Sequence, residues 1–149
     1  NRRFADDYLD ERLAEFNRYR RKLAIALIDL DHFKSINDTV SHHAGDTVLR
    51  RVARILAERC RESDRVARSG GEEFLLCFPE TDVSQARDIC EELRLAVASA
   101  DWGDDIPGVA MSISAGVAGM RPGLSRMALL SEADSRLYEA KAAGRNRVI

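Results

Sequence analysis

Residues 23–28 of the chain read LAIALI, six apolar positions in a row. A run of that length without polar alternation fits a strand buried on both faces. Such a strand needs a covering layer on each side, so the rest of the chain must supply elements for two layers. Phe4, Tyr8, Leu9, Leu13 and Phe16 recur at helical spacing, and residues 34–40 have the length of a short helix. After Gly45, the residues Val48, Leu49, Val52, Ile55 and Leu56 form an apolar stripe with arginines on the opposite side. Strand-like runs at 65–68 and 74–78 flank Gly70-Gly71. This pattern predicts a hairpin, because glycine accepts the positive φ of tight primed turns. Val83, Ala86, Ile89, Cys90, Leu93 and Val97 mark another helix.

The stretch 101–108 carries Gly, Pro and three aspartates and reads as a loop, with Trp102 expected at its surface or in a partner contact. Val109, Met111, Ile113, Ala115 and Val117 alternate with smaller residues, the pattern of a half-buried strand. Met127, Leu130, Ala133, Leu137 and Tyr138 outline a last helix that Gly144 stops, and 147–149 begin a final strand. The order α-β-α-α-β-β-α-β-α-β is an α/β (α+β) arrangement with an antiparallel or mixed central sheet and helices on its faces.

The 149 residues fit a single domain, 1–149, and the balance of 45% apolar to 32% charged is that of a folded globular chain. A net charge of −2 gives no general attraction to nucleic acid or to an anionic membrane. Any phosphate binding must then come from local arrangement. No apolar run approaches the ~20 residues of a membrane span, and the charged first residues are no signal peptide, which favours a cytoplasmic domain without membrane contact of its own. The first helix starts almost at Asn1 without a cap, as in a piece of a longer protein, whose other parts are free to be membrane-anchored. Cys60, Cys77 and Cys90 are odd in number and lack metal-ligand spacing, so they are expected to pack as small hydrophobes.

The chemistry concentrates where the apolar run ends. Asp29 and Asp31 sit at the rim of a buried strand, where hard cations find oxygen ligands. Glu72 and Glu73 adjoin the glycines of the hairpin. Pairing of that hairpin beside the first strand would converge these carboxylates on one or two Mg²⁺ ions, which neutralise phosphate charge and activate an attacking oxygen. Taken alone, polar residues at turns are ordinary. Lys34, Asn37, Asp38 and Asp46 nevertheless follow within seventeen residues of Asp29, and Lys141, Arg145 and Arg147 close the chain. Lysine and arginine suit a triphosphate. An amide and a carboxylate together can read a guanine edge. Adjacent His42 and His43 point different ways and suggest no zinc.

The segment Arg68-Ser69-Gly70-Gly71-Glu72-Glu73-Phe74 resembles the signature of the GGDEF family of diguanylate cyclases in its GGEEF form. Residues 29–38, DLDHFKSIND, resemble the family's DxDxFKxIND segment, and His42 with Gly45-Asp46 its GHxxGD. Residues 112–117, SISAGV, resemble its SxG strand, and Ala133-Asp134, Tyr138, Lys141 and Gly144-Arg145-Asn146 its closing ADxxLYxAKxxGRN. The likeness covers nearly the whole chain.

The resemblance implies a mostly antiparallel, palm-like nucleotidyl cyclase sheet and the condensation of two GTP into cyclic di-GMP. It implies that Asp29 and Glu72 bind Mg²⁺ (Mn²⁺ a possible substitute), helped by the Leu30 carbonyl and Glu73. Either Glu72 or Glu73 would assist deprotonation of the attacking hydroxyl. Asn37 and Asp46 would contact guanine with His42 close by. Lys34, Lys141, Arg145 and the backbone near His32 and Phe33 would hold the phosphates. Each subunit would hold one GTP, so a homodimer is needed for catalysis, and an upstream sensor or regulatory domain is expected in the parent chain. Asp46 favours guanine over adenine, whose edge has a ring acceptor where guanine has a donor.

Arg61 and Asp64 match the family's RxxD site for product inhibition by cyclic di-GMP, although Glu92 stands where a second arginine often completes it, and Arg94 is off register. Ser41 replaces the usual glycine before His42, and of the family's opening DxLTxLxNRR segment only Asn1-Arg2-Arg3 is present. A catalytically silent cyclic di-GMP or GTP receptor and a mononucleotide cyclase are the alternatives.

Overall fold

The computed structural model describes residues 2–149. In chain order they form α1 (Arg2–Tyr19), β1 (Leu23–Leu30), α2 (Phe33–Thr39), α3 (His42–Arg59), β2 (Arg65–Arg68), β3 (Glu73–Pro79), α4 (Val83–Ser99), β4 (Ile113–Gly119) and α5 (Arg126–Ala142). The strands make one sheet in the order β2-β3-β1-β4, with every neighbouring pair antiparallel. Every residue of β1 is buried. Its side chains alternate between faces. Ala24, Ala26, Ile28 and Leu30 join a core with α2, α3 and α4, while Leu23, Ile25 and Leu27 join a second core with α1 and α5. The expected two-layer cover is thereby met.

Local chemistry sets the boundaries. Ser41 accepts from the Ala44 amide to cap α3, and Ser125 does the same for Ala128 at α5. Asp82 and Gln85 form a reciprocal capping box at α4. Gly144 follows α5 with φ 120°, a conformation that suits glycine after a helix. Burial pushes the thiols of Cys60 and Cys77 up to about 12, so these cysteines are protonated fillers at neutral pH, in keeping with the reading from sequence.

Five expectations are corrected. The alternating stretch from Val109 forms a strand only at Ile113–Gly119, and β4 is buried on both faces except at its last residue. Its small residues face helix, not water: a Cβ on Gly116 would overlap the Ala133 carbonyl and the Leu137 amide of α5. On α5 itself Met127 and Tyr138 are exposed, and the buried positions are Leu129, Ala133, Leu137 and Ala140. Close approach to the sheet selects alanines there. Gly70 and Gly71 do not take positive φ. The connection between β2 and β3 is a longer loop over 69–72, closed by the Ser69 and Gly70 amides donating to the Glu73 carbonyl. The final strand is reduced to a parallel bridge between Val148 and Ala115.

Trp102 is the fifth correction. It is buried, its indole N–H donates to the Val97 carbonyl at 2.8 Å, and the Arg51 guanidinium lies 4.5 Å from the ring centroid. The indole closes the end of α4 and anchors the 101–108 loop against the core. Trp102→Phe keeps the apolar body but loses the donor and weakens the cation–π contact, and is expected to lower stability by about 1–2 kcal/mol in urea denaturation. An unchanged midpoint would show that the indole nitrogen contributes nothing.

Candidate active site

Antiparallel pairing decides which acidic groups meet. Asp29 stands opposite Glu73 on one side and Ser114 on the other, and the Leu30 amide donates to the Glu72 carbonyl at 3.2 Å. The hairpin tip is therefore pinned to the end of β1. The Arg68 Nε donates to the carbonyls of both Gly70 and Gly71, at 3.1 and 2.9 Å, and shapes the loop from outside. Sequence reasoning missed that role, since an arginine before a turn carries no distinctive spacing.

A cleft of about 290 Å³ opens at this place, lined by Asp29, Leu30, Asp31, His32, Phe33, Lys34, Ser35, Glu72, Lys141 and Arg145. It gathers eight of the expected residues, drawn from β1, the turn after it, α2, the hairpin and the end of α5. His32 has φ 56°, a left-handed residue that turns the chain sharply from β1 into α2. That turn places the first residues of α2 over the strand end.

Asp29 is buried, and its two oxygens differ. Oδ2 takes a hydrogen bond from the Lys141 ammonium. Oδ1 is buried without any hydrogen-bond partner. An unsatisfied carboxylate oxygen carries a desolvation cost that a bound cation would remove. With half-buried Glu72 across the same cleft, the donor set of two carboxylates plus backbone carbonyl suits a hard divalent ion. Among the described residues no three acidic, histidine or cysteine side chains cluster as ligands. One carboxylate from β1 and one from the loop between β2 and β3 make two such side chains, which fits that finding.

Glu73 lines a different cavity, of about 540 Å³, between α1, the sheet and α5. Burial, then the charges of Asp29 and Asp134, pushes its carboxyl above the ordinary value, against the opposing pull of Lys141. Asn37, His42 and Asp46 lie outside the lining of the smaller cleft. The Asn37 amide rests on Gly45, where any Cβ would overlap it, and Gly45 is followed directly by Asp46. Amide and carboxylate are thereby held on adjoining parts of α2 and α3, with Asp46 at the mouth of an apolar slot between α3 and the β2–β3 hairpin. His42 and His43 are both exposed at the start of α3.

Asp31 has another task. Its oxygens accept from the Ser114 and Ser112 hydroxyls, each at 2.6 Å, and from the Asn146 amide at 3.0 Å. Ser114 lies in β4 and Ser112 just before it, and their spacing of two residues is a signal available in the sequence. Arg61 and Asp64 are joined to each other. Asp64 is buried, accepts from the Arg61 amide at 2.8 Å and its guanidinium at 3.0 Å, and Arg61 also donates to the Pro79 carbonyl and Thr81 hydroxyl. Arg94 is taken by Glu91 and Asn146.

Residues 1–147 match the family model described as diguanylate cyclase, GGDEF domain. The chain is 37% identical over 148 residues to diguanylate cyclase DgcP of Pseudomonas aeruginosa, covering 99% of this chain and 22% of that protein. It is 38% identical over 153 residues to the response regulator PleD of Caulobacter vibrioides, covering 100% of this chain and 34% of that protein. Among solved structures, the GGDEF domain of DgcB from Caulobacter crescentus in complex with c-di-GMP superposes with a TM-score of 0.93 at 37% identity, over 99% of this chain and 88% of that one. The active GGEEF domain of a diguanylate cyclase from Vibrio cholerae gives 0.87 at 31% identity, over 95% and 91%. These likenesses bear out the palm-like antiparallel sheet. The chain spans 22%, 35% and 32% of the lengths of the first three curated relatives, so those proteins are much longer.

Proposed function

The chain belongs to the GGDEF family of diguanylate cyclases, and from that membership we propose that it condenses two GTP molecules into cyclic di-GMP. The observation that carries the reading is the cleft where a partnerless oxygen of Asp29 and the carboxylate of Glu72 face Lys34, Lys141 and Arg145. Residues 1–149 act as one catalytic domain of a longer protein, under an upstream sensor, in the cytoplasm where GTP is available.

Asp29, Glu72 and the Leu30 carbonyl would hold a divalent ion, Mg²⁺ or in its place Mn²⁺. When bound, such an ion neutralises phosphate charge and eases ionisation of a nearby hydroxyl. Lys34, Lys141 and Arg145, with the backbone at His32 and Phe33, hold the phosphates and orient them. Asn37 and Asp46 select guanine, with His42 at the rim of that site. Each 3′-hydroxyl attacks the α-phosphorus of the other nucleotide, forming a phosphodiester bond and breaking the bond to pyrophosphate, twice in all. Glu72 or Glu73 accepts the hydroxyl proton. One subunit carries one reactant, so two must face each other as a homodimer.

Incubation with GTP and Mg²⁺, followed by chromatography, tests the reading. Cyclic di-GMP and pyrophosphate in a 1:2 ratio are expected. Retained cyclic di-GMP without turnover would make the domain a receptor, and cGMP would make it a mononucleotide cyclase.

Product inhibition at Arg61 and Asp64 belongs to the same proposal. The arginine fork can take guanine N7 and O6. Asp64→Ala removes the carboxylate that orients it, so inhibition by added cyclic di-GMP is expected to weaken at least about fivefold with little loss of initial rate. The same change leaves the Arg61 amide without its acceptor, so the melting temperature falls as well. Superimposable inhibition curves would remove the site from consideration.

A further inference from the structure

We propose that Asp31 is a positioning residue, a buried latch that aims Lys141 and Arg145 into the cleft by holding the tail after α5. The proposal rests on the assignment of those two cations to the nucleotide phosphates. Its grounds are geometric. Gly144, Arg145 and Asn146 have φ of 120°, 63° and 47°, three consecutive residues in the left-handed region. Two of them carry side chains, which disfavour that conformation unless the surroundings enforce it. The end of α5 holds the first part of the turn, through the Arg145 amide on the Ala140 carbonyl at 2.9 Å, and two contacts hold Asn146: its amide donates to Asp31 Oδ2 at 3.0 Å, and its side-chain carbonyl accepts from Arg94 at 2.9 Å.

Asp31 is itself held by Ser112 and Ser114 across the sheet, so it is a fixed post. Three donors already occupy its two oxygens, which separates it from Asp29, whose Oδ1 has none. Release of the Asn146 amide would leave Arg145 held on the α5 side alone and let its strained φ relax. Arg145 sits in that turn, and Lys141 lies four residues before it on the last turn of α5.

The test compares Asp31→Ala with Asp31→Asn. An asparagine oxygen can keep the Asn146 and Ser112 donors, while its amide nitrogen donates to the rotatable Ser114 hydroxyl. Asp31→Ala is expected to raise KM for GTP at least about tenfold with kcat within about threefold, the mark of lost binding shared by ground and transition states. Asp31→Asn is expected to stay within about threefold in both. Amide hydrogen exchange over residues 144–149 is expected to accelerate in the alanine variant only. A purely structural role would lower the melting temperature and leave KM unchanged, overturning the latch. An asparagine variant as impaired as alanine, with an increased Mg²⁺ requirement, would overturn it in favour of a metal ligand.

Should Asp31→Ala fail to fold, Ser112→Ala with Ser114→Ala loosens the same post, and an unchanged KM there overturns the proposal. Exchange does not depend on turnover. Unchanged exchange in Asp31→Ala sinks the latch alone, whereas released exchange in a protein that makes no cyclic di-GMP sinks the functional reading alone.

Discussion

Glu72→Ala is expected to abolish cyclic di-GMP formation, with a rate loss of about a thousandfold or more, and to leave folding stability within about 0.5 kcal/mol. The two halves of that expectation come from different parts of the residue. The side chain is half-buried and lines the cleft opposite Asp29, whose free oxygen cannot hold a divalent ion alone. On the proposed metal role, loss of one of two carboxylates would remove several kcal/mol of charge stabilisation at the phosphates. The fold depends instead on the main chain at this position, because the Glu72 carbonyl takes the Leu30 amide and pins the loop to β1. Alanine keeps that bond.

Initial rates measured across a Mg²⁺ titration, alongside urea denaturation of the same preparation, separate the two. Turnover retained at wild-type Mg²⁺ dependence would refute the assignment of Glu72 to the metal. A large loss of stability would mean that the carboxylate does structural work in the loop that its geometry does not indicate.

The acidic pair was legible in the sequence because both of its members lie beside strong local signals. An unbroken apolar run can hardly be anything but a covered strand, and its last residues must emerge at a sheet end. Gly-Gly between two strand-like runs places Glu72 at a loop. Adjacent antiparallel pairing then brings the two ends together, as the register of Asp29 with Glu73 shows. The failures come from packing that local spacing does not carry. Trp102 stands among aspartates, glycine and proline, and only the packing of its loop over the end of α4 buries it. Asp31 looks like a second metal ligand until Ser112, Ser114 and Asn146 occupy it from 81, 83 and 115 positions away. The stripe on α5 differs from the expected one because the sheet accepts alanine and excludes bulk, which buries Ala133 and Ala140 and leaves Met127 and Tyr138 exposed.

That exclusion carries the second large effect, at Gly116. Gly116→Ala is expected to destabilise the protein by about 3 kcal/mol, and Gly116→Val by more, at or beyond the upper range for overpacked cores. The obstacle is backbone: the new Cβ meets the Ala133 carbonyl and the Leu137 amide, which lie in the middle of α5 and cannot rotate aside. Relief requires α5 to move off the sheet as a body. Its buried residues Leu129, Ala133, Leu137 and Ala140 then lose their packing together, and total stability near 5–15 kcal/mol leaves little reserve.

The same movement reaches the cleft, since the Lys141 side chain extends from α5 to bond Asp29. Reduced affinity for GTP should therefore accompany the loss of stability. Gly71→Ala is the control, because a Cβ there meets nothing within 4 Å and its φ is not in the left-handed region. Its denaturation midpoint should match the wild type within about 0.5 kcal/mol. Equal midpoints for Gly116→Ala and Gly71→Ala would show that α5 yields to the sheet at no cost, and the close helix–sheet contact would lose its place as the reason for glycine in β4.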